Sequence, residues 1–555
     1  MTETLVILVV GLLLVAASAV VGPRVGVAAP VLLVGLGVAG SLLPFFADFE
    51  LDPEWILTGI LPPLLYSAAV SMPAMRFRRE FAAIGGLSVF LVIATSLVLG
   101  LFFMFVLPGL GFAWGVALGA IVSPTDAVAT SIIKRTPVST RVVAILEGES
   151  LLNDATALVL LRTAIVAAAA SFSFWGAVGT FAYSVAIAIG IGGLVGWANL
   201  VVRRRATDPT VNTVISFTVP FLAAVPAELL GASGLVAAVA AGLVTGIRAP
   251  RQLSAQNRLS DAQNWRTVEL VLEGAVFLLM GLQLSAIIAD VESDHGGVHI
   301  AIAIAVGAWV LTILVRAAYV VPLLSRLSLR ARRVGKLRPR LEGIQQRLDS
   351  DEGTAGVREE LQRRGRRTSD NDLARFTLRV TRGLSDIRYF LSAPLGWREG
   401  AVVVWAGMRG AITVAAAQTL PEETPQRPVL ILIAFAVAAL SLLGQGSTVA
   451  LFVRRVGSKT QAQRIDARAA DDRREVLALM RRSGDSVPAP VRRDDATEAQ
   501  RFDVQSRHRL AVLAAQRAAL LDARDEGAFD ADILADELAI LDAAQIAIEL
   551  RRGQH

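Results

Sequence analysis

Long apolar runs recur along the chain from Leu5 to Phe452, and most are long enough to cross a bilayer as a helix. Hydropathy places spans near 5–21, 26–45, 55–72, 81–107, 112–133, 142–170, 175–202, 210–227, 232–247, 267–289, 300–324, 399–420 and 428–453. The pattern predicts an all-α membrane protein of about 13 transmembrane helices, since only helices and closed barrels satisfy their own backbone in lipid. The first run, Leu5 to Val20, has no positive segment before it and Arg24 after it. It is expected to remain as a helix with its amino end outside, not to act as a cleaved signal peptide.

Polar loops between the runs fall into two alternating classes. One carries Arg24; Arg76, Arg78 and Arg79; Lys134, Arg135 and Arg141; Arg203, Arg204 and Arg205; Arg248, Arg251 and Arg258; and Arg454 with Arg455. The other carries Asp48, Glu50, Asp52 and Glu54; Glu228; Asp290, Glu292 and Asp294; and Glu422 with Glu423, while short loops near Pro108 and Ser171 are uncharged. Basic loops favour the cytoplasmic side, which predicts a multi-pass plasma-membrane protein with its N-terminus outside and its C-terminus in the cytoplasm. The expected organisation is membrane domain over 1–325, a charged cytoplasmic insertion over 326–398, two last membrane helices over 399–453, and a helical cytoplasmic tail over 454–555. Insertion and tail read either as regulatory elements or as solvated helical appendages, the commoner role of mixed-charge amphipathic helices.

Composition narrows the function classes. Hydrophobic residues make up 54% of the chain and charged ones 18%, which excludes a soluble multidomain protein. The sequence pI of about 10.2 comes from basic clusters between apolar runs, with no nucleic-acid motif among them. Those clusters suit anionic lipid headgroups instead. With no cysteine, disulfides and thiolate metal sites are excluded.

Three clusters of polar residues interrupt the spans, and polar groups in lipid mark functional paths by default. In the sixth span the run Glu147-Gly148-Glu149-Ser150-Leu151-Leu152-Asn153-Asp154 places Asp154 about twelve residues, or roughly 18 Å, from the start near Val142. That is close to the centre of a hydrocarbon core about 30 Å thick. Glu147, Ser150 and Asp154 share one helix face, with Glu149 and Asn153 on the neighbouring ridge. A hydroxyl one turn from a carboxylate offers hard oxygen ligands to an alkali cation, and the Asn153 amide is expected to orient the acid. The alternative is a helix pair welded by a carboxylate to a distant arginine, and on the residues alone both readings stand.

The fifth span is broken by Ser123-Pro124-Thr125-Asp126, and the twelfth by Gly407-Met408-Arg409-Gly410. Proline removes a helical hydrogen bond, and such breaks are tolerated only where freed carbonyls line protein or a watery cavity. Seven spans separate the two, so they cross the membrane in opposite directions. Opposed discontinuous helices are the device of inverted-repeat transporters. Asp126 is placed to offset positive half-helix ends and Arg409 negative ones.

Taken together, these segments resemble the monovalent cation:proton antiporter family, which includes bacterial Na+/H+ antiporters and sodium/proton exchangers. The Glu147–Asp154 run is similar to its signature, the segments at Ser123–Asp126 and Gly407–Ala411 to its two crossing breaks, and Leu61-Pro62-Pro63-Leu64-Leu65 to a further element. The resemblance implies a homodimer in which a core domain slides against a dimerisation domain. It also implies that Asp154 alternately binds a proton or a cation, that Na+ sits at Asp154, Ser150 and Thr125, and that Asn153 supports the carboxylate. It further implies that Glu149 pairs with Arg409, that exchange is electroneutral, and that no cofactor is needed. One departure stands out: where many members have an acid after an aromatic, Tyr66 is followed by Ser67. That makes K+/H+ exchange the alternative to Na+/H+ exchange.

Other readings are weaker. Glu273 and Arg316 are expected to form a structural ion pair, and Arg162 to pair or snorkel. Gly231-Ala232-Ser233-Gly234 matches a membrane serine protease pattern, but His295, His299, His508 and His555 all fall in predicted loops or the tail, leaving the serine without a base. An enzyme is therefore not expected. A cation channel lacks filter loops or charge rings here, and a non-transporting sensor would not need Asn153, Asp154, Thr125 and Arg409 together.

Overall fold

The computed structural model describes residues 2–43, 52–134, 136, 138–169, 174–293, 297–348, 353, 355, 370–456, 459–490 and 497–552. Asp48, Glu50, Arg135, Ser171, Asp294, His295 and His555, named above, lie outside the described residues. All regular structure among the described residues is helical. The chain divides into two compact units, Met1–Leu323 with Trp397–Ser458, and Leu324–Gly396 with Lys459–His555.

The first unit holds most of the apolar helices. Among the described residues, eight helices are long and apolar enough to cross a bilayer, and Ala29–Ser41, Trp55–Ser71 and Phe112–Val122 are shorter apolar helices. Large apolar side chains face outward, with Leu13 65% and Phe105 79% exposed, as lipid-facing surface requires. Close helix contact rests on glycine. A Cβ on Gly37 would meet the Leu278 carbonyl oxygen at 2.4 Å, so the helices Ala29–Ser41 and Ala255–Leu282 approach at backbone distance.

Some helices begin earlier than hydropathy predicts. One starts at Ala74, not near 81, because its charged first turns find partners: buried Glu80 holds buried Arg141 of Thr140–Ala169 at 2.6 Å. Another starts at Ala255, not near 267, capped by Ser254, with Asp261 in an ion pair with the fully buried Arg203 at 3.0 Å. Hydropathy averages cannot register charges that are neutralised across helices. Ser233, of the protease-like pattern, caps Gly234–Gln252 by accepting from the Val236 N–H, an ordinary helix start.

The second unit joins the insertion to the tail. Its helices are Arg338–Leu348, Asp370–Ser392, Lys459–Asp485, Glu498–Glu526 and Ala531–Arg552. Val476, Met480, Leu520, Ala523, Leu534 and Leu541 form the apolar core of the three tail helices. Arg382 of the insertion donates to the Asp525 carbonyl at 2.8 Å at the end of Glu498–Glu526. Two segments far apart in sequence thus fold as one body.

Candidate functional site

The site is built where two broken helices meet. Phe112–Val122 stops at Ser123, and the chain resumes as Val128–Ile133; Trp397–Trp405 stops at Ala406 and resumes as Ala411–Gln418. The breaks bond to each other, the Asp126 N–H donating to the Met408 carbonyl at 2.7 Å. Asp126 Oδ1 accepts from the Val128 N–H at 3.1 Å, at the amino end of the second half-helix. Its other oxygen lies over Gly410, where a Cβ would fall 1.4 Å from it, so only glycine fits.

Arg409 is buried and donates through Nε to the Val122 carbonyl at 3.1 Å and through its guanidinium to the Gly407 carbonyl. It therefore satisfies carbonyls orphaned at the ends of both first halves. Its own N–H donates to Ser441 Oγ at 2.9 Å, and Ser441 donates to Gln445 Oε1 at 2.6 Å. Gln445 in turn donates to the Trp405 carbonyl at 3.0 Å. Ser441 and Gln445 were not expected in the site. Their signal was present, two polar residues one turn apart in the apolar run Arg427–Val456.

Thr140–Ala169 lies beside the crossing as one unbroken helix. Glu149 is not paired with Arg409, as the resemblance implied. It is held by Arg316 of Val298–Gly335, with Nη2 to Oε2 at 2.8 Å and Nη1 to Oε1 at 2.5 Å. Arg409 is taken up by backbone carbonyls, and that leaves Glu149 to Arg316. The expected Glu273–Arg316 pair is excluded by the same contact. Thr125 donates to Glu149 Oε1 at 3.1 Å. Asn153 donates to the Thr125 carbonyl at 3.0 Å and to its Oγ1 at 2.8 Å. Both amide hydrogens thus clamp the break instead of orienting Asp154. The reason is helical: adjacent residues point about 100° apart, so Asn153 and Asp154 face different neighbours.

Asp154 is 5% exposed, and among the described residues no hydrogen bond or ion pair reaches its carboxylate. Ser150 donates to the Glu147 carbonyl at 3.1 Å and keeps its oxygen lone pairs free to accept, and Glu147 pairs with Lys134. Tyr66 is buried, its ring tilted against that of Trp265 with centroids 5.2 Å apart and its hydroxyl 3.5 Å from Thr245 Oγ1, and neighbouring Ser67 is buried. Asn153 Oδ1 is buried without a hydrogen-bond partner among the described residues. The arrangement offers a carboxyl oxygen, a hydroxyl and carbonyls beside helix ends whose charges are already balanced.

The model of the transmembrane sodium/hydrogen exchanger family matches residues 6–342 and 374–455. The chain belongs to that family. Family members of this kind are transporters and need no cofactor. An uncharacterised Na+/H+ exchanger of Mycobacterium bovis is 28% identical over 98% of this chain and 96% of its own length. A sodium, potassium, lithium and rubidium/H+ antiporter of Bacillus subtilis is 31% identical over 48% of this chain and 41% of its own. The solved sodium/proton antiporter MjNhaP1 of Methanocaldococcus jannaschii shares the fold, with a TM-score of 0.55 at 16% identity, over 81% of this chain and 98% of that one. The family match leaves out 343–373 and everything after 455, much of the second unit.

Proposed function

We propose that this exchanger moves a monovalent cation, Na+ in the first instance, against H+ by competition at Asp154. The observation that carries the reading is the bare, buried carboxylate of Asp154 beside a crossing whose other charges are engaged. Asp154, Ser150 and a remaining lone pair of the Thr125 carbonyl form the cation site. Thr125 is presented by Asn153 and Glu149, and Glu149 is neutralised by Arg316. Asp126 and Arg409 balance the half-helix ends, and Glu147 lies on the same helix face as Asp154.

Coupling follows from charge. One carboxylate cannot hold a proton and a cation together, and either ligand makes the site neutral. The empty anion is costly to carry through a low-dielectric barrier, so only loaded forms cross. Alternating access with one charge exchanged for one is electroneutral. Thirteen crossings, inverted repeats, an outside N-terminus, a cytoplasmic C-terminus and a homodimer in the plasma membrane complete the proposal.

Potassium exchange is the second reading. It is favoured by Ser67, which brings a hydroxyl where many relatives have an acid, and it agrees with the several cations in the name of the Bacillus subtilis relative.

Inside-out vesicles with a preformed pH gradient test both. Na+, K+ or Li+ is expected to collapse the gradient with wild type and not with Asp154→Asn, while the variant remains in the membrane. Exchange by Asp154→Asn would sink the assignment, and the cation that works decides between the two readings.

A further inference from the structure

In an unbroken helix the Arg409 N–H would bond the Trp405 carbonyl, four residues back. The break in the twelfth span severs that bond, inside an apolar bundle where an unmet backbone group is costly. Both severed ends are taken up by one neighbouring helix. The Arg409 N–H donates to Ser441 Oγ at 2.9 Å, and the Trp405 carbonyl accepts from Gln445 Nε2 at 3.0 Å. Ser441 Oγ donates to Gln445 Oε1 at 2.6 Å, so the two side chains complete a bridge between the ends. Both residues are fully buried.

Gln445 also uses the second acceptor site of Oε1, which takes a bond from Trp309 Nε1 of Val298–Gly335 at 3.2 Å. A side-chain amide supplies two acceptor sites and a donor together, which neither a carboxylate nor an apolar chain can do. The residue stands in a π-helical turn, Leu442–Gly446, a rare conformation that recurs at functional sites. Farther along the helix, Thr448 accepts from the Trp405 indole N–H at 3.1 Å, and Phe452 stacks on its ring with centroids 5.4 Å apart. Ser441, Gln445, Thr448 and Phe452, at i, i+4, i+7 and i+11, thus grip the break from one helix face. What the break then presents is the Met408 carbonyl, which holds the Asp126 N–H at 2.7 Å, next to Thr125.

We propose that Ser441 and Gln445 are positioning residues for exchange: they stand in for the helical bond that the twelfth span gives up, and so keep its break open. The inference rests on the exchange reading above, in which the Thr125 carbonyl is a cation ligand. Without the bridge, the Arg409 N–H and the Trp405 carbonyl are drawn back to each other. The Met408 carbonyl is then withdrawn from Asp126, and Thr125 moves off the cation. The loss falls on binding of the ion and leaves the turnover of the loaded site in place.

In the same vesicles, Gln445→Met, which keeps the length of the side chain and loses the amide, is expected to raise the cation KM about tenfold with kcat within about twofold of wild type. Gln445→Glu separates the bond from the shape. Its protonated carboxyl can still donate to the Trp405 carbonyl, and its carboxylate cannot. The ratio of its KM to that of wild type at the same pH is expected to lie near one at the acid end and to climb as pH rises. An unchanged KM in Gln445→Met overturns the proposal. So does a fall in kcat at constant KM, which would mark a purely structural role, or a Gln445→Glu ratio indifferent to pH. If Gln445→Met does not reach the membrane, Trp309→Phe removes one bond from Gln445 Oε1 and keeps a ring. It is expected to raise KM about two- to threefold, and an unchanged KM there overturns the proposal.

Amide hydrogen exchange supplies a readout that needs no transport. Gln445→Met is expected to exchange faster than wild type in the peptide over 123–128, which holds the Asp126 N–H, while peptides from Gly234–Gln252 stay unchanged. No local difference overturns the proposal, as does a uniform increase, which would mark a general loss of stability. Failure of exchange in wild type, or its survival in Asp154→Asn, would instead count against the broader reading.

Discussion

Glu149 and Asp154 lie little more than one turn apart on one helix, and both are buried, at 1% and 5% exposure. Glu149 has both oxygens on Arg316 and accepts a further bond from Thr125. Asp154 has neither a cation nor a hydrogen-bond donor among the described residues. The difference separates architecture from chemistry within one motif. A carboxylate with its charge matched and its lone pairs filled can hold helices together, and it has nothing left to give a transported ion. One without partners keeps its lone pairs available to a ligand. Glu80 with Arg141 repeats the first arrangement.

The sharpest way to break the comparison is to exchange the roles. Asp154→Asn is expected to abolish exchange with little loss of folded protein, because removing an unpaired acid leaves no buried charge unmatched. Arg316→Ala should do the opposite. It strands Glu149 in the membrane interior, at a cost of about 3–5 kcal/mol. Little monodisperse protein should survive detergent extraction, and a Glu149→Gln/Arg316→Met pair should recover much of it. Stable Arg316→Ala protein with normal exchange would dissolve the distinction.

A smaller effect is expected from Asn153→Ala, which removes two bonds to Thr125 at a cost of about 1–3 kcal/mol. If the clamp presents Thr125 to the cation, KM should rise while thermal unfolding shifts modestly. Loss of stability at constant KM would place Asn153 with Glu149 on the architectural side. The smallest effect sharpens the contrast between units. Thr497 and Gln500 form a capping box at the start of Glu498–Glu526, so Thr497→Ala should lower the stability of the second unit by about 1 kcal/mol. Exchange in vesicles should be unchanged; a changed rate would mean that the insertion and tail act on transport.

Much of this molecule was legible as sequence. Apolar runs of bilayer length dictate helices, because lipid offers no other partner to a backbone N–H. Proline and glycine beside polar residues marked both breaks, and helical spacing put Glu149 and Asn153 on one ridge, where both now meet Thr125. These are local properties, fixed by residue type and by a period of about 3.6.

Only the tertiary structure decided how the charges are matched. Arg316 and Arg409 are both buried arginines in apolar helices, and nothing in their neighbours along the chain states which one meets Glu149. That depends on where two helices far apart in sequence come to lie, and on Arg409 being occupied by orphaned carbonyls that exist only once the helices break. The charged turns at Arg76–Glu80 and Asn257–Asp261 became helix for the same reason, since their partners Arg141, Arg203 and the Ala206 carbonyl are supplied by other helices. The union of insertion and tail is likewise a matter of packing between segments that composition describes separately. Sequence determines which groups must be satisfied in a membrane, whereas the assembled fold determines by whom.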